Sequence, residues 1–174
     1  MVNWDAGDFH IFVINEEHYG APSLPRAVRI SGKVSSGLGR AHVFMSQKHY
    51  QSQFKQVLGV GAWPGTLNVD MHKDSEEGFR KLRVVAGLED GDDSDSIDSD
   101  RIDGFERDGS SFGGATAFKA KICRDEGDWE DCAVLIPDLT RHTSTAEVIS
   151  GSFLREKLPC SDGDLVHIEL VESG

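Results

Sequence analysis

Apolar and polar residues alternate along much of this chain, and the alternation predicts short strands. Val28, Ile30, Gly32 and Val34 interleave with Arg29, Ser31, Lys33 and Ser35, a period of two that marks a half-buried strand. Gly37 and Gly39 then predict a turn, and Val43–Ser46 a returning strand. Tyr50, Phe54, Val57 and Leu58 fall at helical spacing, with Gly59 placed to stop the helix. Trp63-Pro64-Gly65 predicts a turn into a short strand over Thr66–Asp70, and Leu82–Leu88 reads as a further apolar strand.

The second half repeats the pattern. Ala115–Ile122 alternates, Arg124–Asp131 is a polar hairpin connection, and Cys132–Ile136 is a continuous apolar run closed by Pro137. Such a run fits a strand buried on both faces. Ala146–Ile149 predicts another strand, and Phe153, Leu154 and Leu158 one face of a short helix. After the turn Ser161–Asp164, a final strand points Leu165, His167, Glu169 and Val171 one way and Val166, Ile168 and Leu170 the other. Many strands, few helices and no βαβ repeat predict a compact β-barrel with small helical insertions. Met1–Arg26 reads as an extension to a barrel domain over 27–174; Phe9, Ile11 and Val13 allow a short strand in it before Pro22 and Pro25.

Charge changes this picture in one place. Ten acids between Glu89 and Asp108, against Arg101 and Arg107, carry net −8 of the chain's −12. Glu89–Asp100 is low in complexity and too polar to bury, which predicts a disordered insertion. Its aspartates do not frame an EF-hand, because no frame supplies both the sixth-position glycine and the twelfth-position glutamate. An acidic surface disfavours nucleic acid and anionic membranes, and no run approaches the ~20 apolar residues of a membrane span. Three cysteines without C-x-x-C spacing argue for free thiols in a reducing compartment. A cytoplasmic monomer is the expectation.

Four stretches carry candidate chemistry. Gly37-Leu38-Gly39-Arg40-Ala41-His42 lets backbone amides approach an anion, although it is neither a P-loop nor a dinucleotide fingerprint. Thr66 and Asn68 stand two apart on one face of a strand, as neutral oxygens that complete a Mg²⁺ shell when phosphates supply the charge. Thr140-Arg141-His142-Thr143-Ser144 to Glu147 offers hydrogen bonds to a flat polar ligand, and Glu147 as a base. Ser152-Phe153-Leu154-Arg155 presents an arginine suited to a phosphate. Read singly, each is equally at home as an ordinary turn, strand start or polar loop.

In this order and at these distances, the stretches resemble one family, the archaeal CTP-dependent riboflavin kinases. The likeness rests on Gly32-Lys33-Val34-Ser35-Ser36-Gly37-Leu38-Gly39, Gly65-Thr66-Leu67-Asn68, Val134-Leu135-Ile136-Pro137, Thr140-Arg141-His142 with Glu147, Phe153-Leu154-Arg155-Glu156 and Asp162-Gly163-Asp164. It implies a six-stranded cradle-loop (RIFT-type) barrel that transfers a phosphoryl group from CTP to the 5′-hydroxyl of riboflavin, giving FMN and CDP. It further implies nucleotide contacts at Gly37, Leu38, Gly39, Arg40, Ala41 and His42 and at Ser152, Phe153, Leu154 and Arg155. Mg²⁺ would sit on Thr66 and Asn68, and flavin on Thr140 and Glu147. Ala41 stands where the family often has a second glycine, and His42 where arginine is common. Two other readings are a barrel that binds flavin or nucleotide without catalysis and a barrel-type DNA-binding regulator; the regulator would need a basic face that this chain lacks.

Overall fold

The computed structural model describes residues 28–92 and 97–172. The possible strand in the extension lies outside the described residues. Nine strands and four α-helices follow in the order β1 (Arg29–Ser35), α1 (Ala41–Met45), α2 (Lys48–Leu58), β2 (Leu67–Met71), α3 (Glu76–Val85), β3 (Asp100–Ile102), β4 (Phe105–Arg107), β5 (Ser110–Phe112), β6 (Ala115–Arg124), β7 (Glu130–Pro137), β8 (Thr145–Ile149), α4 (Leu154–Lys157) and β9 (Leu165–Leu170). A 3₁₀ turn at Lys73–Ser75 leads into α3.

Six strands close a barrel. Their order is β6-β7-β8-β2-β1-β9, every neighbour antiparallel, and β9 returns to β6. The ten residues of β6 serve two partners along one edge: Ala120–Arg124 bond β9 and complete the barrel, while Ala115–Ala117 bond β3, which lies outside it. The β4–β5 hairpin turns at Asp108 (φ 51°) and Gly109 (φ 76°). Positive φ at both central residues is the type I′ arrangement that matches strand twist.

The alternation read from the sequence decides what the barrel encloses. Ile30 and Val34, Val69, Phe118 and Ile122, Val134, Val148, Val166 and Ile168 point inward and are buried, joined by Phe79 and Leu82 of α3 and Leu154 and Leu158 of α4. A second core lies on the outside of β6, β7 and β8. There Ala115, Ala117, Ala133, Leu135 and Ile149 meet Tyr50, Phe54 and Val57 of α2. Strands β6 and β7 are therefore covered on both faces, which explains the unbroken run Cys132–Ile136.

Helix α2 ends where the sequence places its stop: Gly59 is left-handed (φ 77°) and its N–H bonds the Lys55 carbonyl at 2.8 Å. Gln51 ties the flanks of α2 together, donating to the carbonyls of Met45 (2.8 Å) and Ala62 (3.0 Å) and accepting from the Ala62 N–H (3.1 Å).

Two expected strands are helices. Val43–Ser46 falls in α1 and the turn after it, where Val43 and Phe44 are exposed; four residues are too few to distinguish a period of two from one of 3.6. Leu82–Val85 ends α3, where the buried residues Phe79, Leu82 and Arg83 keep helical spacing. The apolar run Val84-Val85-Ala86 conceals that spacing. Of the acidic stretch, Glu89 pairs with Arg80 and Arg83, Asp100 enters β3, and residues 93–96 lie outside the described residues.

Gly32 faces the barrel interior where β1 crosses β2. A Cβ there would lie 2.2 Å from the Asp70 carbonyl oxygen, and backbone has nowhere to move. Gly32→Ala is expected to cost about 3 kcal/mol, the upper end for overpacking. That corresponds to a fall of roughly 10 °C in Tm, measurable by thermal melting; a melt within a degree or two of the parent would refute the close approach.

Candidate active site

The outer face of β2 and β8 carries the polar centre. Thr66, Asn68 and Asp70 share that face by strand alternation. Across the ladder, Asn68 stands opposite Glu147, and Asp70 opposite Thr145. The Thr66 hydroxyl donates to Asn68 Oδ1 at 3.2 Å, and the Thr145 hydroxyl to Asp70 Oδ1 at 2.7 Å. The Glu147 carboxylate has no hydrogen bond or ion pair among the described residues. Burial raises its pKa above the usual glutamate value, with nearby His142 pulling weakly the other way.

The loop from Gly37 to Arg40 covers one side of this centre. Gly39 is left-handed (φ 70°), a conformation that glycine adopts without strain. Gly37 lies so close to the polar centre that a Cβ would come within 2.7 Å of Asn68 Nδ2. The base of the loop is fixed from outside. Arg155 Nη2 donates to the Ser35 carbonyl (3.2 Å), the Ser36 hydroxyl (3.4 Å) and Asp162 Oδ1 (2.8 Å), while Ser36 Oγ donates to Asp162 Oδ2 (2.6 Å). The Ser36 hydroxyl, and then Arg155, hold the Asp162 carboxyl below the usual range.

Three clefts meet here. A polar groove runs between the loop and β2, lined by Ser36 to His42, Thr66, Asn68, Asp70, His142, Glu147 and Arg155. An apolar slot adjoins it, walled by Phe44, Met45, Tyr50 and Phe54 on the helices, Phe112 on β5 and Leu135, Leu139 and Thr140 on and after β7. Its aromatic wall is braced: Phe105 and Phe112 stack with centroids 4.5 Å apart, Phe105 meets Tyr50 edge-on at 5.2 Å, and the Tyr50 hydroxyl donates to the Gly113 carbonyl at 2.5 Å. Groove and slot share Ala41, Phe44, Thr66, His142 and Glu147. A third, narrow cleft extends the groove past Gly65, Thr66 and Arg155, over Leu67 and Val148, to Ser150, Ser152, Phe153 and Trp63. Trp63 and Phe153 stack on each other at 5.0 Å, with 47% and 42% of their surfaces exposed.

All residues nominated from sequence therefore gather in one connected depression. Gly37 to His42, Thr66, Asn68, Glu147 and Arg155 line the groove; Thr140 lines the slot beside Glu147; Ser152, Phe153 and Leu154 line the narrow cleft. Ala41 and His42 belong to α1 rather than to the loop. Sequence reasoning passed over Phe44, Phe112, Trp63 and Asp70. Asp108-Gly109 between Phe105 and Phe112 is a hairpin signal that would have revealed the slot's far wall.

A family model named CTP-dep_RFKase and described as a domain of unknown function, DUF120, matches residues 34–170. The chain belongs to this family. The match takes in every barrel strand but the first five residues of β1, and the lining of all three clefts. Archaeal proteins named riboflavin kinase are similar to this family member. One from Thermoplasma acidophilum is 34% identical over 148 residues, covering 85% of this chain and 60% of its own length. One from Haloquadratum walsbyi is 34% identical over 144 residues, covering 82% and 56%. One from Pyrobaculum islandicum is 36% identical over 145 residues, covering 83% and 61%. The chain spans about three fifths of the length of these curated relatives. Family and fold agree with the six-stranded cradle-loop barrel expected from the sequence. Among the described residues, no helix is long and apolar enough to cross a membrane.

Proposed function

We propose that this protein is a riboflavin kinase that transfers the terminal phosphoryl group of CTP to the riboflavin 5′-hydroxyl, giving FMN and CDP. The observation that carries this reading is the meeting of an aromatic-walled apolar slot with a polar, glycine-lined groove at one unpaired glutamate. A flat tricyclic ring suits the slot, and a polyphosphate suits a groove edged by backbone amides and Arg155. A ribityl chain leaving the slot reaches the groove at Glu147. Names carried by relatives add riboflavin as the acceptor, and the family name adds CTP as the donor.

Phosphoryl transfer asks a protein mainly to align two oxygens and spread charge. In this reading Arg155 and the amides of Gly37 to Arg40 hold phosphate oxygens. Trp63 and Phe153 offer a ring face near the base. Thr140 contacts the flavin. Glu147 orients the attacking hydroxyl and accepts its proton, a role that suits a carboxylate with no hydrogen bond or ion pair among the described residues and a pKa that burial raises above the usual glutamate value. The donor set of Thr66 and Asn68, two neutral hard oxygens side by side, fits Mg²⁺ shared with phosphates. When bound, that ion neutralises charge on the phosphoryl oxygens.

The direct test follows FMN by chromatography after mixing protein, riboflavin, Mg²⁺ and either CTP or ATP. FMN chiefly with CTP is expected. FMN chiefly with ATP would keep the kinase and overturn the donor. No FMN from folded protein that still binds riboflavin would overturn the kinase and leave a binding module.

A further inference from the structure

We propose that Arg83, steadied by Glu89, is a positioning residue for the loop over residues 138–144, and so sets the affinity of the acceptor slot. The inference rests on the kinase reading for its substrate and on geometry for its existence.

Arg83 is an unusual residue for its place. It sits in the last turn of α3, whose other buried residues, Phe79 and Leu82, belong to the barrel core, and it is only 8% exposed itself. Burying a guanidinium is costly unless its donors are used. Here they are used on two separate segments. Nη1 donates to the His142 carbonyl at 2.7 Å, and Nε to Glu89 Oε2 at 3.4 Å. Glu89 is itself fixed by Arg80, whose Nε donates to Oε1 at 2.8 Å. The root of the acidic stretch is thereby clamped onto α3, with Arg83 between it and the loop.

The loop needs such a tie. Its ends are anchored: Asp138 pairs with Arg101 and its N–H bonds the Gly114 carbonyl, while the Ser144 carbonyl accepts from the Met71 N–H at 2.8 Å. Between those ends, apart from the Arg83 bond, the loop's hydrogen bonds among the described residues are local: Thr140 N–H to the Pro137 carbonyl and His142 N–H to Thr140 Oγ1. Among the described residues, the bond from Arg83 is the one hydrogen bond that reaches the middle of the loop from elsewhere. That middle carries Thr140 and Arg141 of the slot and His142, which lines slot and groove alike. Arg83 lines none of the three clefts, so its effect on a ligand is exerted through the loop.

The test uses Arg83→Met, Arg83→Lys and Glu89→Gln in the full chain. Amide hydrogen exchange is read over 138–144, and KM is measured separately for riboflavin and for CTP. Arg83→Met is expected to raise riboflavin KM about tenfold, the weight of one charge-assisted hydrogen bond. CTP KM should stay within about twofold, and loop exchange should quicken. Arg83→Lys, which keeps one donor, should recover part of the loss. Glu89→Gln, at a half-exposed position, should move both readouts the same way by less, and it serves if the methionine variant does not fold. A folded variant with parental loop exchange and parental riboflavin KM overturns the proposal. So does an equal rise in both KM values, which marks a merely structural residue. If the parent makes no FMN and binds no riboflavin, the kinase reading fails by itself. Loop exchange then decides the positioning claim alone: quicker exchange sustains it and unchanged exchange sinks it.

Discussion

Glu147→Gln is expected to lower kcat by about 10²- to 10⁴-fold, the usual contribution of a positioned general base, while CTP KM changes little. The amide keeps the size of the carboxylate but cannot accept the hydroxyl proton. The same change should make the protein more stable at neutral pH. Burial raises the pKa of Glu147, and among the described residues no hydrogen bond or salt bridge offsets the cost of its charge, with only the nearby His142 acting the other way. The sign follows from linkage: a carboxyl with a raised folded pKa favours folding at low pH, and that advantage is lost as pH climbs from the usual glutamate value through the raised one. The parent and the glutamine variant should therefore melt together in acid and separate above that window, with the variant higher. For turnover the direction is opposite if, as proposed, Glu147 acts as the base in its carboxylate form; the parent's kcat should then rise through the same raised pKa. Parental turnover in Glu147→Gln would remove the residue from the chemistry, and coincident melts at neutral pH would show that its charge is not strained.

Gly37→Ala is the second large effect. The added methyl would meet the Asn68 amide at 2.7 Å. Because that amide ends a side chain, it can yield, so the fold should survive with Tm close to the parent's. What moves is Asn68, and with it the 3.2 Å bond from Thr66. A displacement of about 1 Å at a reacting centre can cost about 100-fold, and a loss of that order in kcat/KM is expected, together with a higher Mg²⁺ concentration for half-maximal rate. Gly39→Ala is the contrast. Open space surrounds its Cβ, but its φ of 70° makes the penalty one of loop conformation, about 1 kcal/mol. If Gly37→Ala keeps both its rate and its Mg²⁺ requirement, then Asn68 either does not shift or does not matter.

What could be read from the sequence was whatever a single period or a single backbone rule decides. The barrel strands announced themselves because each buries alternate residues, as in Ile30, Gly32 and Val34, or both faces, as in Cys132–Ile136. Gly59 stopped α2 where the spacing of Tyr50, Phe54 and Val57 ends. The polar candidates could be nominated because Thr66 and Asn68 stand two apart on one face and Gly37 to Arg40 form one glycine-bearing loop, whereas Ala41 and His42, read as part of that loop, open α1. The apolar slot was not, because its walls come from α1, α2, β5 and the segment after β7, and no local pattern ties Phe44 to Phe112 or Leu139. Strand β3 was hidden for a similar reason. Its three residues follow a run of aspartates, and the Arg101–Asp138 pair and the ladder to Ala115–Ala117 become visible only once β6 is in place. Arg83 reads as one charge within an apolar stretch that suggests a strand, and its role shows only once α3 and its partners at residues 89 and 142 are in place.

The division of labour along β6 has a consequence for how the protein can change. One half of that strand seals the barrel, and the other half supports β3 and, beyond it, the hairpin that supplies Phe105 and Phe112. Ring closure and the far wall of the slot thus draw on different stretches of chain. Replacements in the hairpin can reshape what the slot admits while every pairing that closes the ring is kept. Drift in what the slot admits is in this way uncoupled from the integrity of the fold, and, on the kinase reading proposed above, a lineage could explore new acceptors through residues 105–112 without first acquiring a sturdier barrel.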